Sequence, residues 1–136
     1  MVIAEAIRQA RILRENEIPA DVMVKWLSDH DGVVWEETVS QYEGHQPETR
    51  PVYDGDTDKE NTELLIQAPW DDLYPGYLAM RIDLAQQDID RYNNEAAAYE
   101  ARRQAWAKHY NRTHRWAGTR QYQTFRPRYY DTQIVF

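Results

Sequence analysis

Residues 69–114 read PWDDLYPGYLAMRIDLAQQDIDRYNNEAAAYEARRQAWAKHYNRTH. Within this stretch Leu78, Ile82, Ala85, Ile89, Tyr92, Ala96, Tyr99, Trp106 and Tyr110 recur in steps of three and four, with Arg103 as a charged intruder. That spacing is the period of an amphipathic helix and misses the alternation of a strand. Asp71-Asp72 behind Pro69 marks a helix entrance, and Pro75 is still early enough to be tolerated. The pattern predicts a helix running to about Arg112 and continuous through Asn93-Asn94. At about 1.5 Å of rise per residue, roughly forty residues would reach about 60 Å. A compact domain of this size has a radius of gyration of only about 14 Å, so the helix is expected to bend, break or protrude toward other chains.

Upstream, Ile3, Ile7, Ala10 and Leu13 form one stripe of a short helix over residues 3–15, which Pro19 ends. A second helix is expected from Pro19 to Asp21 onward, with Val22, Trp26, Val33 and Tyr42 on its buried face. Gly32 weakens it by about 1 kcal/mol relative to alanine, and Gly44 is its expected stop. Residues 45–67 lack helical periodicity and suit either a small hairpin or an ordered surface loop. From Thr113 the sequence changes character, with Gly118, Pro127 and an apolar ending, as in an extended arm. The reading is thus an all-α fold. It is a small helical bundle with one long C-terminal helix, an irregular or hairpin loop at 45–67, and an extended basic C-terminal arm. Residues 1–117 make the helical domain and 118–136 the arm.

With 136 residues, 42% of them apolar, and a mean hydropathy of -0.88, the chain supports one domain with a modest core in a very polar envelope. Ten Tyr and five Trp against two Phe favour rings that keep a polar tip at a wet surface, either in a partly exposed core or at an interface. The absence of cysteine excludes disulfides, thiolate metal sites and a cysteine nucleophile. The first residues lack the basic stretch and apolar run of a secretory signal, and no apolar run approaches the roughly eighteen residues of a membrane span. Export by that route and membrane insertion are not expected.

Net charge is -7, unevenly spread. Residues 101–136 hold eight basic residues against Asp131 alone, a net of +7, whereas residues 1–100 carry a net of -14. An acidic body with a basic end suits either a polyanion or another copy's acidic surface, and acidic bulk disfavours nucleic acid.

Chemical motifs are few. Asp54, Asp56 and Asp58 alternate like the opening of a calcium loop, but Lys59 takes the glycine position and Leu65 that of the bidentate glutamate, so a solvated acidic loop is expected. His30, His45, His109 and His114 offer no pair three or four residues apart, which speaks against zinc. Glu36-Glu37 and Asp71-Asp72 read as solvated charge near helix ends. No catalytic, metal or cofactor-binding residue is assigned. The expected partner-contacting residues are Arg103, Trp106, Tyr110, Arg112, Arg115 and Trp116, continuing into Arg120, Tyr122, Phe125, Arg126, Arg128 and Tyr129, because arginine and aromatic rings are favoured in interfaces. The same mixture holds phosphates and stacks on bases.

Five short stretches carry a resemblance. They are Lys25-Trp26-Leu27-Ser28-Asp29 with Asp31-Gly32; Thr62-Glu63-Leu64-Leu65; Ala68-Pro69-Trp70-Asp71-Asp72-Leu73-Tyr74; Arg91-Tyr92-Asn93-Asn94; and Tyr110-Asn111-Arg112-Thr113-His114. In that order they resemble small prophage proteins of tailed bacteriophages, in the head-tail connector or adaptor group, over about residues 3–114. The resemblance implies a non-enzymatic structural virion protein, without cofactor, assembled in the bacterial cytoplasm. About a dozen copies would form a head-to-tail ring, and the isolated subunit would stay monomeric until its platform is present. Such a ring lies beneath the portal protein, meets the next neck or tail protein, and lets DNA pass nearby without sequence-specific binding. The alternative is a nucleic-acid-binding packaging or regulatory factor, whose affinity would drop steeply with salt.

Overall fold

The computed structural model describes residues 1–117. Four helices account for most of them: α1 (Ile3–Leu13), α2 (Ala20–Glu37), α3 (Leu73–Ala85) and α4 (Ile89–Thr113), with short 3-10 turns at Val39–Gln41 and Trp70–Asp72. The expected helical bundle is what forms, and α4 is its long C-terminal helix.

The single rod expected from residue 69 onward does not form. Helix α3 stops at Ala85, and Gln87 takes a left-handed backbone conformation with φ of 60°. The Asp88 N–H then bonds the Asp83 carbonyl (2.9 Å) and the Gln87 N–H the Leu84 carbonyl (3.1 Å), which together close the helix end in a Schellman motif. Asp88 immediately caps α4, its carboxylate accepting from the Arg91 N–H at 3.2 Å. A helix stop and a helix start thus share three polar residues, and the chain reverses there. Asn93-Asn94, inside α4, leaves that helix unbroken.

Contacts between named residues give the direction of each helix. Arg14, just beyond α1, reaches Asp83 near the end of α3, while the amine of Met1, just before α1, bonds Asp71, just before α3, so the two helices run parallel. The Tyr77 hydroxyl bonds the Trp26 carbonyl and the Tyr74 hydroxyl bonds Asp31, which makes α2 antiparallel to α3. Arg102 reaches back to Asp72 and the Pro69 carbonyl, so α4 is antiparallel to α3. The arrangement is an up-down-up-down bundle. Its core holds Ile3, Ala6, Ile7 and Ala10 of α1, Leu73, Tyr74, Leu78 and Ile82 of α3, and Tyr99 and Trp106 of α4.

The buried face of α2 differs from expectation. Met23, Val24, Leu27, His30, Asp31 and Val34 are buried, whereas Val22 and Val33 are exposed. The row that faces inward includes two polar side chains, His30 and Asp31, which bond each other, and the other partners of Asp31 come from elsewhere in the chain. The Asp31 carboxylate accepts from the hydroxyls of Tyr53 and Tyr74, both at 2.7 Å, and from the Leu65 N–H at 3.0 Å, and it is hydrogen-bonded to His30 Nδ1 at 2.9 Å. Helix α2 also ends at Glu37, ahead of Gly44, where the chain turns with φ of 62°.

Residues 45–67 form an ordered loop. Its one ladder contact is the isolated bridge between Glu63 and Val2. Side chains replace a sheet partner for its backbone: the Tyr53 N–H donates to Ser28 Oγ, that of Leu65 to Asp31, and that of Ile66 to the Tyr74 hydroxyl. This satisfaction of buried amides lets Tyr53, Leu64 and Ile66 enter the core.

Candidate functional site

The two ends of the bundle differ in chemistry. One end holds the C-termini of α1 and α3 and the N-termini of α2 and α4. Among the large hydrophobic residues that the described chain leaves exposed, Ile12 (71%), Leu13 (50%), Val22 (38%), Leu84 (45%) and Ile89 (53%) all belong to this end; Val33 and Val52 lie elsewhere. Ile12 and Leu13 close the last turn of α1, and Leu84 and Ile89 flank the α3–α4 reversal.

The other end lies about 36 Å away along α4, taking about 1.5 Å per residue. Here the C-terminal half of α4 meets the two 3-10 turns around a cleft of about 330 Å³, lined by His45, Leu65, Trp70, Trp106, His109, Tyr110 and His114. His109 lies against the Trp70 ring at 5.2 Å between centroids, and the Arg102 guanidinium sits 4.7 Å from the same ring's centre. Tyr110 stacks on His114 at 3.7 Å and meets Tyr42 edge-on at 5.0 Å. Burial pushes the Tyr110 phenol up from its ordinary value, helped by Tyr42. Beyond α4 the chain is extended. The Glu43 N–H bonds the Arg115 carbonyl (2.8 Å) and the Ala117 N–H the Gln41 carbonyl (2.9 Å), which pairs Trp116 with Tyr42 in an antiparallel bridge.

The sequence-assigned contact residues divide sharply. Trp106 is buried in the core, and Arg103 donates to Glu37 at 2.8 Å. Arg115 lies 3.4 Å from Glu43, and its neighbour in composition, Arg102, is bound to Asp72. Part of the basic excess after residue 100 is therefore matched within the molecule. Tyr110 and Trp116 remain partly accessible, and Arg112 is exposed. Arg120, Tyr122, Phe125, Arg126, Arg128 and Tyr129 lie outside the described residues.

Neighbouring carboxylates have ordinary tasks. Glu36 pairs with Arg50, Glu37 with Arg103 and Asp72 with Arg102. In the acidic loop, Asp54 accepts from the Asp56 N–H and Thr57 Oγ1, and Asp58 from the Glu60 N–H and Asn61 Nδ2. Those bonds hold the Asp58 carboxyl below its usual range, Asn61 contributing most. Among the described residues, no group of three or more His, Asp or Glu side chains is placed to hold a metal ion, and no helix is long and apolar enough to cross a membrane.

Sequence reasoning missed the apolar end, because Leu13, Val22 and Ile89 each fall on the inward stripe of a predicted helix, and Ile12 and Leu84 sit beside such stripes. It also missed the His30–Asp31 pair. The available signal was Asp31 itself, four residues after Leu27 and three before Val34, a charge on an apolar stripe. Comparison with known protein families, known proteins and solved structures finds no match to this chain.

Proposed function

We propose that this chain is a structural subunit of the neck of a tailed bacteriophage, a head-tail connector that assembles as a ring under the portal protein and receives the next neck or tail protein. One observation carries the reading: the bundle exposes five large apolar side chains at one end and a cleft lined by aromatic rings and histidines at the other. Ring contacts are head-to-tail and join unlike patches, so a subunit with two dissimilar ends is suited to them. Exposed apolar residues gathered in one region mark a contact surface more than a solvated one. The sequence resemblance points the same way. The reversal at Gln86–Asp88 moves the sticky region from a free helix to the end of the bundle, so the reading no longer depends on a protruding rod.

A nucleic-acid-binding factor is the weaker alternative, since Arg102, Arg103 and Arg115 are already matched by carboxylates.

The test is mass measurement of the purified chain, alone and with a portal ring. A stoichiometric complex with the portal is expected, lost on Leu84→Glu with Ile89→Glu, and weakened when the chain is cut after Ala117. A wild-type chain that ignores the portal at micromolar concentration refutes the proposal.

A further inference from the structure

The apolar end of the bundle also carries a charge. Residues 11–22 and 83–95, which build it, hold seven acidic residues against Arg11, Arg14 and Arg91, a net of -4. Arg14 engages Asp83 and Glu95, and Arg91 lies 3.5 Å from Asp88. The other four acids, Glu15, Glu17, Asp21 and Asp90, are exposed, and none of them forms an ion pair among the described residues. Ile12, Leu13, Val22, Leu84 and Ile89 therefore share their end of the bundle with unpaired carboxylates.

That combination sorts the partners. The same end of a second copy would set carboxylate against carboxylate, which disfavours a two-fold contact through this surface. Phosphate-rich surfaces are repelled for the same reason. A segment that is basic and apolar at once fits. Residues 118–136, which follow the described residues, have that composition: Arg120, Arg126 and Arg128 against Asp131 alone, with Phe125, Ile134, Val135 and Phe136 among them.

Reach and charge together decide which copy supplies the segment. Ala117 bonds Gln41 at the cleft end, about 36 Å from the apolar end at about 1.5 Å per residue of α4. At about 3.3 Å per extended residue, roughly eleven residues are needed to return along the same bundle. Residues 118–128 would then run alongside the helices, and the part that arrives at the acidic end, residues 129–136, carries Asp131 and no base. A neighbouring copy whose cleft end lies against this surface brings all three arginines to it.

We infer that residues 118–136 of one copy cover the apolar end of a neighbouring copy, their arginines set against Glu15, Glu17, Asp21 and Asp90 and their aromatic and aliphatic side chains against the exposed apolar ones. The contact is heterologous: each copy gives its segment to one neighbour and receives the segment of another. It rests on the head-to-tail contact of the neck reading and names what joins successive copies.

The chain has no cysteine, so an introduced one is unique. The experiment mixes full-length Gln86→Cys, an exposed position between Leu84 and Ile89, with full-length Gln133→Cys under mild oxidation and without a portal. A mixed disulfide dimer is expected, formed several-fold faster than when Val52→Cys, exposed elsewhere on the bundle, replaces Gln86→Cys. Adding Glu15→Lys and Glu17→Lys to the Gln86→Cys chain should slow the reaction several-fold with an unchanged melting curve, and raised salt should slow it as well. Equal rates for Gln86→Cys and Val52→Cys overturn the assignment. So does faster pairing of Gln86→Cys with itself, or a chain bearing both Gln86→Cys and Gln133→Cys that closes on itself in preference to dimerising. The neck reading fails separately: a cysteine-free chain that ignores the portal refutes it even where the mixed disulfide forms.

Discussion

Arg14 Nε donates to Asp83 Oδ1 at 2.9 Å, joining the residue after α1 to a fully buried carboxylate near the end of α3. The same guanidinium reaches Glu95 of α4 at 3.0 Å, so one side chain clamps three helices at the apolar end of the bundle. Asp83 has no other side-chain partner and its Oδ2 is unsatisfied among the described residues. Arg14→Ala should therefore cost about 3 kcal/mol in urea unfolding, since it strands a buried charge. Pairing it with Asp83→Leu should recover most of that loss, and a double variant no more stable than Arg14→Ala contradicts the account.

Gln87 holds a left-handed backbone conformation that side chains with a Cβ adopt at a cost of about 1 kcal/mol. Gln87→Gly should raise stability by about that amount, and Gln87→Val should lower it. Replacing all of Gln86-Gln87-Asp88 by alanine removes both the stop and the cap, and solution scattering should then report a longer particle. An unchanged profile would mean that the packing of α3 on α4 enforces the reversal without local help.

Alkaline pH should unfold the chain through its tyrosines. Burial is the first cause pushing the phenols of Tyr53, Tyr74, Tyr77 and Tyr99 above their ordinary value of 10.0, with the Asp31 charge adding to it for Tyr53 and Tyr74. In the unfolded chain these groups ionise near 10, while in the folded one they stay neutral. Above that pH the unfolded state binds fewer protons, so stability falls as pH rises. The contribution is intact below pH about 9 and declines by about 1.4 kcal/mol per pH unit for each phenol held neutral. Tyrosinate absorbance should rise in one cooperative step together with loss of helical circular dichroism. Gradual ionisation with the helices intact would contradict the burial of this cluster.

Trp106 and Arg112 should separate folding from assembly. Trp106→Ala removes a buried ring of the core and should cost about 3–5 kcal/mol, so any loss of binding would follow loss of fold. Arg112→Glu, on an exposed position, should change stability by less than about 0.5 kcal/mol and still weaken portal binding. Equal effects of the two on the melting curve would show that Arg112 has a structural role.

The amino-acid sequence by itself determined the elements. Period-three-and-four apolar spacing marked α1, α2 and one long helix over the span of α3 and α4, Pro19 separated the first two, and the acidic, glycine-containing stretch around Asp54–Asn61 marked a loop, because these preferences act over a few residues. It did not reveal that the seam through Ile82, Ala85 and Ile89 is two seams. The heptad steps keep register across Gln86–Asp88, and the stop there uses glutamine in the left-handed position where glycine would have announced it. Nor did it give the inward face of α2, since burying Asp31 becomes favourable only when Tyr53, Tyr74 and Leu65, between 22 and 43 residues away, bring their donors to it. The apolar end arises in the same way. Ile12, Leu13, Val22, Leu84 and Ile89 come from four helices and share one region only because the bundle folds up-down-up-down, a long-range arrangement that no local pattern encodes.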